Sequence, residues 1–245
     1  MSAVKYTKEY TIRSYECDKH ENIRLITLMN LLQDIADSNA DSMGVGYDFC
    51  VKNNLAWVAA NYHVKILRAP KLREKITINS WPSEERKLSA IRDYEIIDEQ
   101  GNVIVQASTQ WVLIDFTTKR PQLLRAKLPN YDILQEKADN FEFKNITLPK
   151  QFDFEKVFAV RFDDIDVNNH VNNAVYPLWF SESIDDNFRN NHTVCELEIT
   201  FKKEAHMGEK IKSESCRDNL QSYHSIISIT DGKELARANL KWTKV

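Results

Sequence analysis

The sequence predicts an α+β protein made of one supersecondary unit repeated in tandem: a strand, a helix, then a four-strand antiparallel meander. Three observations predict it. Residues 10–18 are echoed by residues 158–166, with Arg13 and Asp18 returning as Arg161 and Asp166, 148 positions on. Each of these segments leads into a stretch with the apolar spacing of a helix. Four β-like runs follow each stretch, and at their end Ala107 and Trp111 return as Ala238 and Trp242, 131 positions on.

In the first half a helix is expected over residues 25–37, where Leu25, Leu28, Met29, Leu32, Ile35 and Ala36 fall at steps of three and four. In the second half one is expected over residues 171–188, where Val171, Val175, Tyr176, Trp179, Phe180 and Ile184 do the same. Runs 55–67 and 74–81 flank the turn Arg68-Ala69-Pro70-Lys71, and runs 194–201 and 209–216 flank Ala205-His206-Met207-Gly208. Each half then closes with a hairpin: 92–98 and 103–114 around Glu99-Gln100-Gly101, and 223–230 and 235–244 around Asp231-Gly232. The falling offset puts extra residues in the first half, chiefly around 41–55. Residues 117–149 are charged, contain Pro121, Pro129 and Pro149, and show no sustained period, as a linker does. The expected organisation is a unit over 1–120, a linker over 121–152 and a second unit over 153–245.

Composition bounds the function. The chain has 245 residues with a net charge of -3, which argues against a general nucleic-acid binder. The N-terminus lacks an apolar signal core, and no stretch approaches the roughly 20 apolar residues needed to span a bilayer. Cys17, Cys50, Cys195 and Cys216 are scattered without metal-ligand spacing. Reduced thiols, a cytoplasmic location and no metal or cofactor are the expectations.

The chemistry-bearing stretch is Asp166-Val167-Asn168-Asn169-His170-Val171-Asn172-Asn173. A carboxylate, a carboxamide and an imidazole stand at alternate positions, so in an extended or turn-like segment they share a face. If a helix begins directly after them, backbone N–H groups near Val171 and Asn172 are candidate oxyanion donors. The repeat offers an internal control. The first half keeps the aspartate as Asp18 but has His20 and Asn22 where the second has Asn168 and His170. Asp18 and Asp166 therefore share a structural duty at a helix entrance, and a single active site belongs to the second half.

The order of elements resembles the hot-dog fold, in which a sheet wraps around one long helix. Two such units in tandem, with Asp-Val-Asn-Asn-His-Val-Asn-Asn opening the second helix, resemble the acyl-acyl carrier protein thioesterases of plants and bacteria. Leu55-Ala56-Trp57-Val58, Ile76-Thr77-Ile78-Asn79-Ser80-Trp81, Ala107-Ser108-Thr109-Gln110-Trp111-Val112-Leu113 and Thr118-Lys119-Arg120-Pro121 extend the resemblance over nearly the whole chain.

That resemblance implies hydrolysis of the thioester between a fatty acyl chain and the phosphopantetheine arm of acyl carrier protein. It implies catalytic roles for Asp166, Asn168 and His170. It also implies one for Glu204, because Ile199-Thr200-Phe201-Lys202-Lys203-Glu204-Ala205 lies where the family has Glu-Tyr-Arg-Arg-Glu-Cys. Where the family often carries cysteine this chain has Ala205, which removes a thiol nucleophile. Water activated by Asp166 or Glu204, or direct attack by Asp166, remains. By the same resemblance the first half lines the acyl tunnel, with Leu28, Met29 and Leu32 as candidates. The acidic carrier protein calls for a basic docking face, either Lys65, Arg68, Lys71 and Arg73 or Lys119, Arg120, Arg125 and Lys127. Tandem units fit a monomer or a weak homodimer.

The close rival is an acyl-CoA thioesterase, whose units usually assemble as separate chains. A hot-dog dehydratase would need proline where Asn169 stands. A non-catalytic acyl-binding module is the rival of another class, and the intact polar set argues against it.

Overall fold

The computed structural model describes residues 4–245. Residues 1–3 of the expected first unit lie outside the described residues. The chain divides into two compact units, residues up to 24 with 30–142, and residues 25–29 with 143–245.

The first unit contains β1 (Tyr6–Thr11), α1 (Leu25–Ser42) from residue 30 onward, its first turn grouping with the second unit, α2 (Tyr47–Lys52), β2 (Leu55–Ile66), β3 (Lys75–Glu85), β4 (Ser89–Ile97) and β5 (Val103–Asp115). The strands pair antiparallel in the order β1-β3-β4-β5-β2. The surplus of the first half is α2 with its flanking turns. A single helical turn, α3 (Leu124–Lys127), follows, with Leu124 buried.

The second unit contains β6 (Phe154–Ala159), α4 (Val175–Glu182), α5 (Asp186–Asn191), β7 (His192–Phe201), β8 (Lys210–Asp218), β9 (Gln221–Ser228) and β10 (Glu234–Lys244). Its strands run antiparallel in the order β6-β8-β9-β10-β7, the same arrangement as in the first unit. The α+β class read from the repeat is the class observed.

Alternation sets which face is buried. Ile76, Ile78 and Ser80 on β3 point inward, and Ile211, Ser213 and Ser215 do so at the equivalent positions of β8. Arg92 on β4 is almost fully buried, and its guanidinium donates to Asn39 of α1 and, at 3.0 Å, to Ser80 Oγ. In the second unit Ser183, just after α4, receives hydrogen bonds from β8: Ser213 Oγ at 3.2 Å and Ser215 Oγ to its carbonyl at 2.8 Å.

Two expectations are corrected. The strand that opens each unit does not run through the repeated segments 10–18 and 158–166: it stops at Thr11 and Ala159, and a 3-10 turn follows each. The cause is a local cap: Arg13 N–H donates to Glu16 Oε2 at 2.7 Å, and Arg161 N–H donates to Asp164 Oδ2 at 2.8 Å. The continuous second helix over 171–188 is instead two short helices, α4 and α5. Pro177 in the first turn of α4 has no N–H and would clash with a helical carbonyl at Asn173, so the helix cannot extend to Val171. Asp185 then restarts it, its Oδ1 accepting the Phe188 N–H at 2.8 Å.

His224 lies fully buried on β9, its Nε2 2.7 Å from Ser222 Oγ, which also accepts from Trp242 Nε1 at 2.7 Å. Burial pushes its pKa down to about 3. An unfolded chain protonates this imidazole near pH 6.5 whereas the folded one does not, so stability falls as pH drops through that window. The contribution approaches about 1.4 kcal/mol per pH unit. Urea unfolding between about pH 6.5 and 5 should therefore show a shallower loss of stability for His224→Gln than for the unsubstituted chain. Equal slopes would contradict the assignment.

Candidate active site

The loop carrying Asp166, Asn168 and His170 is a closed turn. An isolated β-bridge joins Ile165 to Val171 across its mouth. Asp166 N–H donates to the His170 carbonyl at 2.8 Å, and Asn169 N–H donates to the Asp166 carbonyl at 3.0 Å. Asp166 Oδ1 accepts the Asn168 N–H at 2.8 Å. Asn169 closes the turn in the left-handed region, with φ of 64°, where asparagine is among the better-tolerated side chains.

Beyond the turn, Val171 N–H donates to the Ala205 carbonyl at 2.9 Å, and Asn172 N–H donates to the Asp164 carbonyl at 2.8 Å. The first of these bonds seats the loop on the turn after β7, which brings His170 to Glu204. His170 Nε2 lies 3.0 Å from Glu204 Oε2. The His170 side chain is 20% exposed and that of Glu204 38%. An ion pair this open stabilises a fold by no more than about 1 kcal/mol, so the contact is not a keystone of stability.

The first unit repeats the backbone and changes the chemistry. Asp18 Oδ1 accepts the His20 and Asn22 N–H groups at 2.8 and 3.0 Å, and Asp18 N–H donates to the Asn22 carbonyl at 2.8 Å. A bridge joins Cys17 to Ile23, and Ile23 N–H donates to the Pro70 carbonyl at 2.9 Å. By these matching bonds Asn22 stands where His170 does, Ala69 where Glu204 does, and Lys71 where His206 does. No imidazole–carboxylate pair forms there.

Of the sequence-predicted residues, His170 and Glu204 are brought into direct contact. Asp166 is joined to His170 through the main chain and serves the turn, the structural duty it shares with Asp18. Asn168 is exposed at the tip of the loop. Leu28, Met29 and Leu32 are fully buried on α1. Ala205 is fully buried as well, with its carbonyl engaged by Val171.

The oxyanion donors expected at Val171 and Asn172 are corrected: both N–H groups are already donated, to Ala205 and Asp164. They were expected at a helix N-terminus, and the helix begins only at Val175.

Two neighbours of the pair were not singled out as site residues by the sequence. Tyr176 is buried on α4, its hydroxyl donating to the Lys203 carbonyl at 3.5 Å, and burial with nearby Glu204 raises its pKa. Its signal was position, one helical turn after the polar motif. His206 has its ring centroid 5.0 Å from that of His170, edge to face. Glu204 and His206, with Lys203, Glu209, Thr230 and Leu235, line an open cleft of about 340 Å³. Ligating atoms of His170, Glu204 and His206 all lie within 4.8 Å of one another.

Residues 3–128 match the acyl-ACP thioesterase N-terminal domain, and residues 148–244 match the acyl-ACP thioesterase C-terminal domain. The chain belongs to the acyl-ACP thioesterase family. A chloroplastic acyl-[acyl-carrier-protein] hydrolase of Cuphea viscosissima is 26% identical over 258 residues, covering 95% of this chain. The chain spans 60% of that relative's length. Oleoyl-acyl carrier protein thioesterase 1 of Arabidopsis thaliana, also chloroplastic, is 24% identical across 98% of this chain and 76% of its own. The fold is that of solved acyl-ACP thioesterases. One from Bacteroides thetaiotaomicron aligns with a TM-score of 0.87 at 18% identity, covering 98% of each chain. The 12:0-ACP thioesterase from Umbellularia californica aligns with a TM-score of 0.85 at 21% identity, covering 100% of this chain and 99% of its own. Among the described residues of this acyl-ACP thioesterase family member, no helix is long and apolar enough to cross a membrane.

The two capping aspartates make a paired test. Asp18→Ala and Asp166→Ala should each lower the unfolding free energy by about 1 kcal/mol, because each leaves turn N–H groups without their acceptor. Asparagine at either position keeps an acceptor oxygen and should stay within about 0.5 kcal/mol of the unsubstituted chain in urea unfolding.

Proposed function

We propose that the chain hydrolyses the thioester of fatty acyl-acyl carrier protein, releasing free fatty acid, with its one active site in the second unit. The observation that carries the reading is the 3.0 Å pair of His170 and Glu204, held by a backbone frame that carries asparagine and alanine in the first unit. Membership of the acyl-ACP thioesterase family supplies the substrate class.

Glu204 accepts a proton from water as the water oxygen bonds to the thioester carbon, and His170 Nε2–H holds the carboxylate in place. The tetrahedral intermediate then expels sulfur: the C–S bond breaks, and the pantetheine thiolate recovers the proton from Glu204. Asp166 keeps one oxygen on the turn and offers the other as the second carboxylate of the site. The carboxamide of Asn168, exposed on the same turn, donates to the carbonyl oxygen as charge builds there. Ala205 leaves no thiol in the position from which a cysteine would attack, which supports water as the nucleophile. Leu28, Met29 and Leu32 are apolar and suited to pack against an acyl chain, and in this structure all three are closed off from solvent.

Carrier proteins are acidic, and the two basic clusters differ in how much charge they leave free. Arg68 is held by Glu74 at 2.5 Å and Asp98 at 3.1 Å, and Lys65 lies 3.9 Å from Asp139, which leaves Lys71 and Arg73 as the exposed cations of that cluster. In the other cluster Arg125 pairs with Glu85, while Lys119 lies over the Phe116 ring at 4.6 Å and stays exposed beside Arg120 and Lys127. We therefore assign docking to the 119–127 segment. Two hot-dog units in one chain support a monomer or a weak homodimer, and four free cysteines support a reducing compartment such as the cytoplasm.

Steady-state hydrolysis of an acyl-carrier substrate panel tests the reading. Glu204→Gln and Asp166→Asn should each lower kcat by roughly 10²–10⁴-fold with the fold intact. Stoichiometric acyl binding without turnover in the unsubstituted chain would favour a binding module, and faster hydrolysis of matched acyl-CoA would move the substrate.

Reversing charge at Lys119 and Lys127 should raise KM for acyl-carrier substrate and flatten its salt dependence, with kcat little changed. An unmoved KM would remove docking from this segment.

A further inference from the structure

We propose that His170, Glu204 and His206 form a binding site for one divalent transition-metal ion of the zinc type, and that the bound ion arrests hydrolysis. Two imidazoles and a carboxylate are a donor set that zinc takes readily, with a fourth position left to water. The three ligating atoms lie within 4.8 Å of one another, and one pair, His170 Nε2 and Glu204 Oε2, is already at 3.0 Å. Tetrahedral zinc places neighbouring ligand atoms about 3.4 Å apart. The remaining closure falls on Glu204 and His206, which are exposed and have room to rotate.

The backbone supplies the rest. His170 is fixed by the Val171–Ala205 hydrogen bond, and Glu204 and His206 flank Ala205 on the same turn. Three donors thus come from two segments that one peptide bond contact holds in register. In the first unit the equivalent positions are Asn22, Ala69 and Lys71, an amide, a methyl group and an ammonium. Among the described residues the site is therefore single, one ion per chain.

Binding takes no oxidant and breaks no covalent bond between heavy atoms. A neutral His170 moves its proton from Nε2 to Nδ1, and Nε2 and Glu204 Oε2 turn their lone pairs to the ion. Those are the atoms with which the proposed mechanism holds the carboxylate in place and deprotonates water. Arrest of turnover rests on that mechanism, whereas ion binding does not.

The test uses the full chain, dialysed against chelator and titrated with cobalt(II) chloride. A tetrahedral cobalt absorption band saturating at one ion per chain, and displaced by zinc chloride, is expected. His206→Ala should weaken cobalt binding at least about tenfold, since it removes one of three protein ligands. Measured against its own metal-free rate, its half-inhibitory zinc concentration should rise by a similar factor. His192→Ala, a histidine stacked on Phe188 away from the cluster, should behave as the unsubstituted chain in every arm. A missing cobalt band, or one that His206→Ala leaves unchanged, overturns the site. Zinc that binds but leaves the rate unchanged or raises it overturns the arrest. Metal binding in a chain that has no metal-free turnover overturns the hydrolytic reading instead, and the arrest with it.

Discussion

The N–H of Val171 donates to the carbonyl of Ala205, and the arrangement of the site descends from that bond. Val171 is 4% exposed and Ala205 not at all, so neither group has water as an alternative partner. A typical peptide hydrogen bond adds about 1 kcal/mol net, but leaving a buried partner unmade costs about 1–3 kcal/mol, which makes this contact obligatory. It joins the turn that follows β6 to the turn that follows β7. His170 precedes one partner by one residue and Glu204 precedes the other, so their side chains meet as a consequence of the main chain. The bridge between Ile165 and Val171 and the Asp166 cap keep the first turn closed while this happens.

The duplicated architecture separates scaffold from chemistry within one molecule. Both units use an arginine–acid cap, a capping aspartate, a short bridge and a peptide clamp to the following turn. The side chains differ where the clamp delivers them. Histidine faces glutamate in one unit, and asparagine lies opposite alanine in the other. Even the left-handed positions correspond: Glu21 and Asn169 close the two loops, and Arg73 and Gly208 close the two strand-linking turns. The two turns thus differ in their side chains while keeping the same backbone frame.

Much of this was legible in the sequence because it depends on pattern. Alternation along β3 and β8, the helical spacing of 25–37 and the recurrence of Arg, acid and Asp are local signals that tertiary packing reinforced. The second helix was not legible in full, because the apolar spacing of 171–188 continues through Pro177 and Asp185, whose backbone effects override periodicity. The pairing of His170 with Glu204 could be named only through the family resemblance, since the two stand 34 positions apart in the chain. Nothing in the spacing brings His206 to His170. That neighbour depends on a long-range peptide contact, and such contacts leave no periodic trace.

The buried methyl group of Ala205 has a consequence for the setting in which such an enzyme works. Enzymes built around a reactive thiol answer to the oxidation state of their surroundings, because sulfenic acid or a mixed disulfide stops them. Here the four thiols are held elsewhere, and burial raises the pKa of each, that of Cys50 to about 11. The reaction proposed for this site uses only oxygen and nitrogen of the protein. Under that proposed reaction, turnover would continue through swings in peroxide or glutathione that silence a thiol nucleophile.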